Sequence, residues 1–180
     1  SPAEANAFAR NRQFFRERWW DDGSILAAGR EYSAMQRTPC YQRGAMSCLS
    51  CHSMHNAPPA DQLAAGMDGS ASCTQCHQEP RFNAEVTSHT HHAADSEGSN
   101  CLNCHMPHTS YGLFSGIRNH TLTSPSVSQT AVHGTPNACN LCHLDQTLVW
   151  TQDHLTDWYG HERRELSTDH GEVSAAVVWL

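Results

Sequence analysis

One short pattern containing cysteine and histidine occurs four times and constrains this 180-residue chain more than any other feature. Each copy reads C-x-x-C-H, with a histidine directly after the second cysteine. Four copies of the same pattern imply four equivalent binding sites, and each site uses two cysteines and one histidine that are close in the sequence. The cysteines are Cys48 and Cys51, Cys73 and Cys76, Cys101 and Cys104, Cys139 and Cys142; the histidines are His52, His77, His105 and His143; Cys40 is left over.

Three kinds of site use paired cysteines. A zinc ribbon needs two CxxC pairs and gives no reason for a histidine after each. A thioredoxin-like motif occurs once, near a βαβ pattern that this chain lacks. Covalent attachment of c-type haem uses every position, with two thiols bonded to the porphyrin edge and the histidine on the iron. Residues three apart lie on one side of a helical turn, so both sulfurs reach the same edge. We predict four haem c groups, with zinc and disulfides as lesser alternatives.

The composition agrees with a domain built around large cofactors. Cysteine and histidine together number 23, more than the leucine, isoleucine and valine residues combined, and only 38% of the chain is hydrophobic. Globular chains usually contain about 45–50% apolar residues, glycine included. A packed aliphatic core is therefore not expected to be the main source of stability, and apolar haem discs tethered to the chain can replace it. The predicted fold class is mainly α with extensive loops, a small haem-packed domain with almost no β structure.

Helical periodicity is clear in two segments only. Residues 5–20 and 145–160 each predict an amphipathic helix, the first ended by Asp21 and the second by Gly160. From 38 to 136 no period is sustained, so the motifs are predicted on short helical turns between loops. We divide the chain into an N-terminal helical segment (1–36), a tetrahaem domain (37–160) and a tail or start of a further helical region (161–180). The expected apolar stripes are Phe8, Phe15 and Trp19 in the first helix and Leu148, Leu155 and Tyr159 in the second.

The distribution of charged residues along the chain limits the kinds of molecule that it can bind. All eleven basic residues are arginine; the first 43 residues carry a net charge of +2 and the remainder −9. An acidic body argues against nucleic acid, which binds basic faces. The longest apolar run has six residues, 175–180, too short for a transmembrane segment of about 20. The basic arm indicates either partner electrostatics or arginine pairing with haem propionates and local acids.

Several stretches resemble bacterial multihaem cytochromes c of the type that often continues into helical HEAT or tetratricopeptide repeats. The resemblance covers roughly residues 40–160. It implies that the second histidine of CHxxH, a histidine cluster and the histidine of Arg-x-His are non-proximal haem ligands. The matching stretches are 39–55 (PCYQRGAMSCLSCHSMH), 89–92 (HTHH), 101–107 (CLNCHMP), 118–120 (RNH), 136–143 (PNACNLCH) and 158–160 (WYG).

Ten histidines lie outside the motifs, severalfold more than ordinary usage, so several are expected to be distal ligands. The resemblance implies His55, His120 and one or more of His91, His92 and His89, in that order of preference within the cluster. His55 follows its own proximal histidine too closely to reach the other face of the same haem and should bind a neighbouring one. The ten are His55, His89, His91, His92, His108, His120, His133, His154, His161 and His170.

The predicted function is electron transfer through four closely packed haems. Bis-histidine haems have no open coordination position, and the proximal histidines are only 25, 28 and 38 residues apart. We expect an electron carrier rather than a catalyst, with redox proteins as partners. Alternatives are a subunit of a conducting filament that assembles haem to haem and an oxidoreductase with one five-coordinate haem. Covalent haem attachment takes place outside the cytoplasm in the family, and no signal peptide is visible. The expected location is therefore periplasmic or extracellular, after removal of a signal.

Overall fold

Short helices joined by loops make up most of the structure, a computed structural model that describes residues 11–27, 29–112 and 114–178. Within those ranges the sheet content is a single two-stranded ribbon, β1 (His108–Gly112) and β2 (Ser115–Arg118). The mainly α fold class with extensive loops is confirmed. The helices are α1 (Arg12–Arg16), α2 (Glu31–Met35), α3 (Pro39–Arg43), α4 (Ala71–Thr74), α5 (Val86–Thr90), α6 (Cys101–His105), α7 (Val127–His133), α8 (Ala138–Cys142), α9 (Leu148–Tyr159), α10 (Asp169–Glu172) and α11 (Ala175–Val178), with 3₁₀ turns at Cys48–Ser50, Pro80–Phe82 and Glu97–Ser99.

The chain divides into two units. The three-motif unit consists of Arg30–His108 and Arg118–Thr123 and carries the first three CxxCH motifs. The one-motif unit consists of the chain up to Gly29, Thr109–Ile117 and the chain from Ser124 onward, and it carries the fourth motif. The boundaries expected after residues 36 and 160 stay predictions.

Helix α9 organises the one-motif unit. The Thr147 hydroxyl accepts a hydrogen bond from the Trp150 amide at its start. Gly160 ends it in the left-handed conformation, with φ of 69°, where glycine has no Cβ penalty. The predicted helix over 145–160 is thus confirmed with a start at Leu148. Leu148 and Leu155 pack with Val127 into a small apolar core, whereas Tyr159 is 42% exposed, so the expected stripe stops short of it.

The N-terminal helix is shorter than its pattern predicts. Residues 1–10, including Phe8, lie outside the described residues, and α1 ends at Arg16. Trp19 then pairs with Ile25 in an antiparallel bridge, so the helix prediction was wrong for residues 18–20. The cause is local turn chemistry: the Asp22 carboxylate accepts hydrogen bonds from both the amide and the hydroxyl of Ser24.

The ribbon is the strand structure that the sequence did not indicate. The Tyr111 amide donates to the Leu26 carbonyl at 2.9 Å, and the Ser110 hydroxyl donates to the Ile25 carbonyl at 3.0 Å. These bonds hold β1 against the segment after α1. Its central residues Thr109 and Ser110 are buried but polar, so no apolar alternation marks the strand.

The apolar run that begins at residue 175 corresponds to α11, and residues 179–180 lie outside the described part. The Ala175 amide donates to the Gln146 carbonyl at 3.0 Å, which joins this segment to the start of α9. No helix in residues 11–27, 29–112 or 114–178 has the length and apolar character to cross a membrane.

Leu148→Ala is expected to lower the free energy of unfolding of the one-motif unit by about 2–5 kcal/mol, because it leaves a cavity at a fully buried position. Chemical denaturation of the purified protein, followed by α-helical circular dichroism, measures it. The matched control is Leu144→Ala, at a leucine that is 55% exposed. Equal effects of the two substitutions would contradict the assigned core.

Candidate functional site

All four CxxCH motifs lie on single helical turns, as predicted. In three of them the histidine amide donates to the carbonyl of the first cysteine, at 2.9 Å for His52, 3.0 Å for His77 and 2.9 Å for His143. In the third motif, α6 itself runs from Cys101 to His105. The turn brings the first and second cysteines to one side and places the histidine directly beyond them.

Residues just before the motifs fix where these turns begin. The Asn100 side chain accepts a hydrogen bond from the Leu102 amide, and that of Asn137 accepts one from the Cys139 amide. Ser47 and Ser50 form a reciprocal capping pair at the first motif. Such caps satisfy amides that a helix start leaves without intrahelical partners. The cysteines therefore start their turns at defined positions.

His52 of the first motif faces His120. Their ring centres are 6.3 Å apart, and their planes are 22° from parallel. His52 Nδ1 lies 3.0 Å from the Asp61 carbonyl oxygen, and His120 Nδ1 lies 2.9 Å from that of Arg118. A carbonyl only accepts, so each Nδ1 carries the proton and each Nε2 keeps a lone pair for a metal.

His105 of the third motif faces His89 in the same manner. The ring centres are again 6.3 Å apart, with planes only 3° from parallel. His105 Nδ1 donates to the Thr123 carbonyl oxygen at 3.0 Å, leaving Nε2 available. Within the predicted histidine cluster, it is thus His89, ranked behind His91 and His92, whose ring faces a proximal histidine.

The two pairs have the spacing that iron with two axial imidazoles requires. A metal–nitrogen bond of about 2 Å and roughly 1 Å from Nε2 to the ring centre put opposite ring centres about 6 Å apart. The donor set suits haem iron, which takes imidazole on both faces. The ring-centre spacing of His52 with His120, and of His105 with His89, thus matches the spacing of two imidazoles on one metal.

Burial keeps the two facing histidines uncharged. It lowers the pKa of His120 below the ordinary value, and it lowers the pKa of His89 with help from the charges of His105, Arg81 and His91. A neutral imidazole is the form that binds metal. Both non-motif histidines of the pairs are thus in the ligating form at neutral pH.

The second and third motifs touch through their first cysteines. The Cys73 thiol hydrogen-bonds to the Cys101 sulfur, which lowers the pKa of Cys101 to about 5 and raises that of Cys73. The Ser70 hydroxyl joins the same segments, accepting from the Cys101 amide at 3.1 Å and donating to the Ser99 carbonyl at 3.4 Å. Porphyrin edges attached at these two cysteines would start from adjoining sulfurs.

Other contacts connect the three motifs of this unit. The Gln75 side-chain amide in the second motif donates to the Ser50 carbonyl in the first at 3.1 Å. The Phe82 ring packs edge-on against His77 at 5.7 Å and His89 at 5.0 Å. The first three sites are therefore held together by direct side-chain contacts.

Arg118 bridges two of the sites. Its carbonyl orients His120, while its guanidinium donates to the Met106 carbonyl at 3.2 Å and to the Asn103 side chain at 3.1 Å. Asn103 is an internal residue of the third motif. In the Arg-x-His pattern, the same arginine thus orients His120 through its carbonyl and contacts the third motif through its guanidinium.

The fourth motif lies in the one-motif unit against α9. The His143 ring contacts Trp150, with centres 4.9 Å apart. Inside the motif, Asn140 is fully buried, accepts from the Thr151 hydroxyl at 2.7 Å and donates to the Gln146 carbonyl at 3.2 Å. These buried bonds fix the motif on the helix that follows it.

The remaining sequence-predicted residues have different surroundings. His55 and His91 are exposed, the latter in a left-handed conformation at the end of α5. His92 is half-buried, and its Nδ1 donates to the Thr90 carbonyl at 2.6 Å. A Cβ on Gly98 would lie 2.3 Å from the His92 ring, so glycine makes room for it. Cys40, the one cysteine outside the motifs, is half-buried.

Sequence reasoning missed the side chains that surround the ligands. The guanidinium of Arg118 and the Ser70 hydroxyl were not identified; nor was the ring of Trp150, and His154 entered only as one of the ten candidate ligands. A signal existed for the last two, because Trp150, His154 and Trp158 recur at intervals of four in a predicted helix.

Comparison with known proteins covers part of the site. The family model described as the doubled CXXCH motif matches residues 41–82, which include the first two motifs. The match indicates covalently bound c-type haem and supports a family similar to multihaem cytochromes c. No curated protein and no solved structure matches the chain.

Proposed function

We propose that this chain is an electron-transfer protein that carries four covalently attached c-type haems, at least two of them with bis-histidine ligation. The first site uses His52 and His120 as axial ligands and the third uses His105 and His89. Thioether bonds at the eight motif cysteines attach the cofactors. Bound haem supplies a reversible one-electron iron couple.

The carrying observation is the geometry of the two histidine pairs. Both pairs have ring centres 6.3 Å apart, and three of the four rings donate Nδ1–H to a backbone carbonyl. Such outer hydrogen bonds fix ring orientation and tautomer and raise the basicity of the ligating nitrogen. The backbone of Asp61, Thr123 and Arg118 thus holds the imidazoles ready, which limits rearrangement between redox states.

His77 and His143 are proposed as proximal ligands of the second and fourth sites. His92 is the strongest candidate for a distal ligand at the second or fourth site. Its Nδ1 donates to a backbone carbonyl, as the Nδ1 atoms of His52, His105 and His120 do. His55 and His91 stay predicted ligands on the resemblance alone.

Close packing of the sites supports electron transfer over catalysis. The Cys73 thiol hydrogen-bonds to the Cys101 sulfur, and the Phe82 ring contacts both His77 and His89. Two ligated faces at a site leave no position for substrate. We propose redox proteins as partners and a periplasmic or extracellular location. Self-assembly into a filament and continuation into helical repeats remain predictions from the sequence.

The test is a haem count combined with spin state. We expect four haems per wild-type chain by peptide mass and pyridine haemochrome absorbance, four in Cys40→Ser, and three when Cys139 and Cys142 are both replaced by serine. Electron paramagnetic resonance of the ferric protein should contain rhombic low-spin signals, because the paired imidazole planes are nearly parallel.

Two results would contradict the proposal. The first result is a peptide-mass measurement that finds no haem on the peptides containing residues 48–52 and 101–105. It would show that the first and third motifs do not attach haem. Carbon monoxide binding to the ferrous wild-type protein at the first or third site would show an open coordination position and favour the oxidoreductase alternative.

A further inference from the structure

A continuous file of rings runs along α9 from the fourth motif to the protein surface. Trp150, His154 and Trp158 are four residues apart, with ring centres separated by 4.2 and 4.7 Å. At one end Trp150 contacts His143 at 4.9 Å. At the other, Trp158 contacts Tyr159 at 6.2 Å, and Tyr159 contacts His161 at 6.1 Å. Successive rings are thus within the range of direct aromatic contact.

Packing of the core does not require this file. Leu148 and Leu155, with Val127, form the apolar core of the unit, and they lie on a different face of α9. The outer end is open to solvent, since Tyr159 is 42% exposed and His161 is exposed. The file therefore connects a motif histidine to solvent alongside the core.

Its composition points to one-electron chemistry. Indole and phenol are, besides thiols and thioethers, the side chains that lose an electron most readily, and only strong oxidants remove it. Trp150, Trp158 and Tyr159 supply three such groups. We propose that this file carries oxidising equivalents from a strong one-electron oxidant at Tyr159 to the reduced fourth site. The fourth site thereby returns an electron to the oxidised tyrosine and tryptophan side chains.

The electrons and protons balance in this scheme. The oxidant takes one electron from Tyr159, and the phenol proton passes to water. Electrons then move outward from Trp158 to Tyr159, from Trp150 to Trp158, and from the fourth site to Trp150, and Tyr159 regains a proton from water. The net change moves one electron from the fourth site to the oxidant. The inference rests on the proposed function, because it needs a reduced site at His143.

A photo-oxidant attached at one end of the file tests it. A ruthenium polypyridyl complex is coordinated to His161 of the reduced, haem-loaded protein, and the singly labelled species is identified by peptide mapping. After a laser flash with an external quencher, we expect a transient indole or phenol radical followed by loss of ferrous absorbance. Trp150→Phe and Trp158→Phe should each slow that loss by about tenfold or more, since phenylalanine keeps a ring but resists oxidation.

Trp19→Phe is the matched control, because this tryptophan packs on Phe15 and lies outside the file; its rate should equal that of the wild type. Circular dichroism and haem absorbance confirm that each variant is folded. Unchanged rates in both file variants, with haem present on the peptide of residues 139–143, would overturn the path alone. If the peptide of residues 139–143 carried no haem, both the fourth haem site and the proposed path would be contradicted.

Discussion

Replacing His120 by alanine is expected to turn one bis-histidine site into a site that binds carbon monoxide. In the proposed arrangement, His120 is the ligand opposite His52, and its ring is oriented by the Arg118 carbonyl. Its removal leaves iron with one protein ligand and an open face. In the wild type, the haem at this site should not bind carbon monoxide. In His120→Ala, about one quarter of the total ferrous haem should show a shifted absorbance after carbon monoxide is added.

His89→Ala should have the same effect at the third site, and the double variant should reach about one half if the two sites are independent. His170→Ala is the matched control. Its ring bonds to the Ser167 hydroxyl rather than facing a motif histidine, so the spectrum should not change. A His120→Ala protein with wild-type low-spin signals and no carbon monoxide binding would contradict the pairing with His52.

The chain without haem is expected not to fold in its three-motif unit. Replacing all eight motif cysteines by alanine prevents attachment. The described residues of this unit bury only three apolar side chains to a high degree, Ala34, Met35 and Leu102. Fully burying a large apolar side chain contributes about 1.5–3 kcal/mol, too little to offset the entropy of ordering Arg30–His108.

Amide hydrogen exchange measures this outcome segment by segment. Amides of the three-motif unit, including those of α6, should exchange at rates close to those of an unfolded chain. The matched control replaces only Cys139 and Cys142 by alanine, which should leave protection in the three-motif unit intact. Native-like protection of α6 in the haem-free chain, together with a cooperative thermal transition, would contradict this expectation.

What the sequence predicts well is chemistry that operates over a few residues. The CxxCH pattern specifies two thiols and an imidazole on one turn, and the structure places each motif on such a turn because the required hydrogen bond spans only four residues. Helix α9 was predicted for the same reason, since its cap, period and terminal glycine are local signals.

What the sequence predicts poorly is contact made through loops. His52 faces a histidine 68 positions later, and nothing periodic joins them. The resemblance suggested His120 as a ligand but not the motif it faces, and it ranked His89 behind its neighbours. At the N-terminus, the apolar pattern favoured helix through Trp20, yet the turn held by Asp22 and Ser24 prevailed. Such outcomes depend on backbone paths that spacing alone does not define.

The carbonyl groups behind the paired imidazoles bear on the reduction potential. A carbonyl that accepts the Nδ1 proton makes the imidazole a stronger electron donor, which favours ferric over ferrous iron. The acceptors belong to Asp61, Thr123 and Arg118, at the end of a strand or in irregular segments, rather than to the motifs. A backbone shift of a few tenths of an ångström in one such segment would alter the potential of one site while every axial ligand stayed the same. The loops that carry these carbonyl groups can therefore set the differences in reduction potential between neighbouring sites, and with them the driving force for electron transfer.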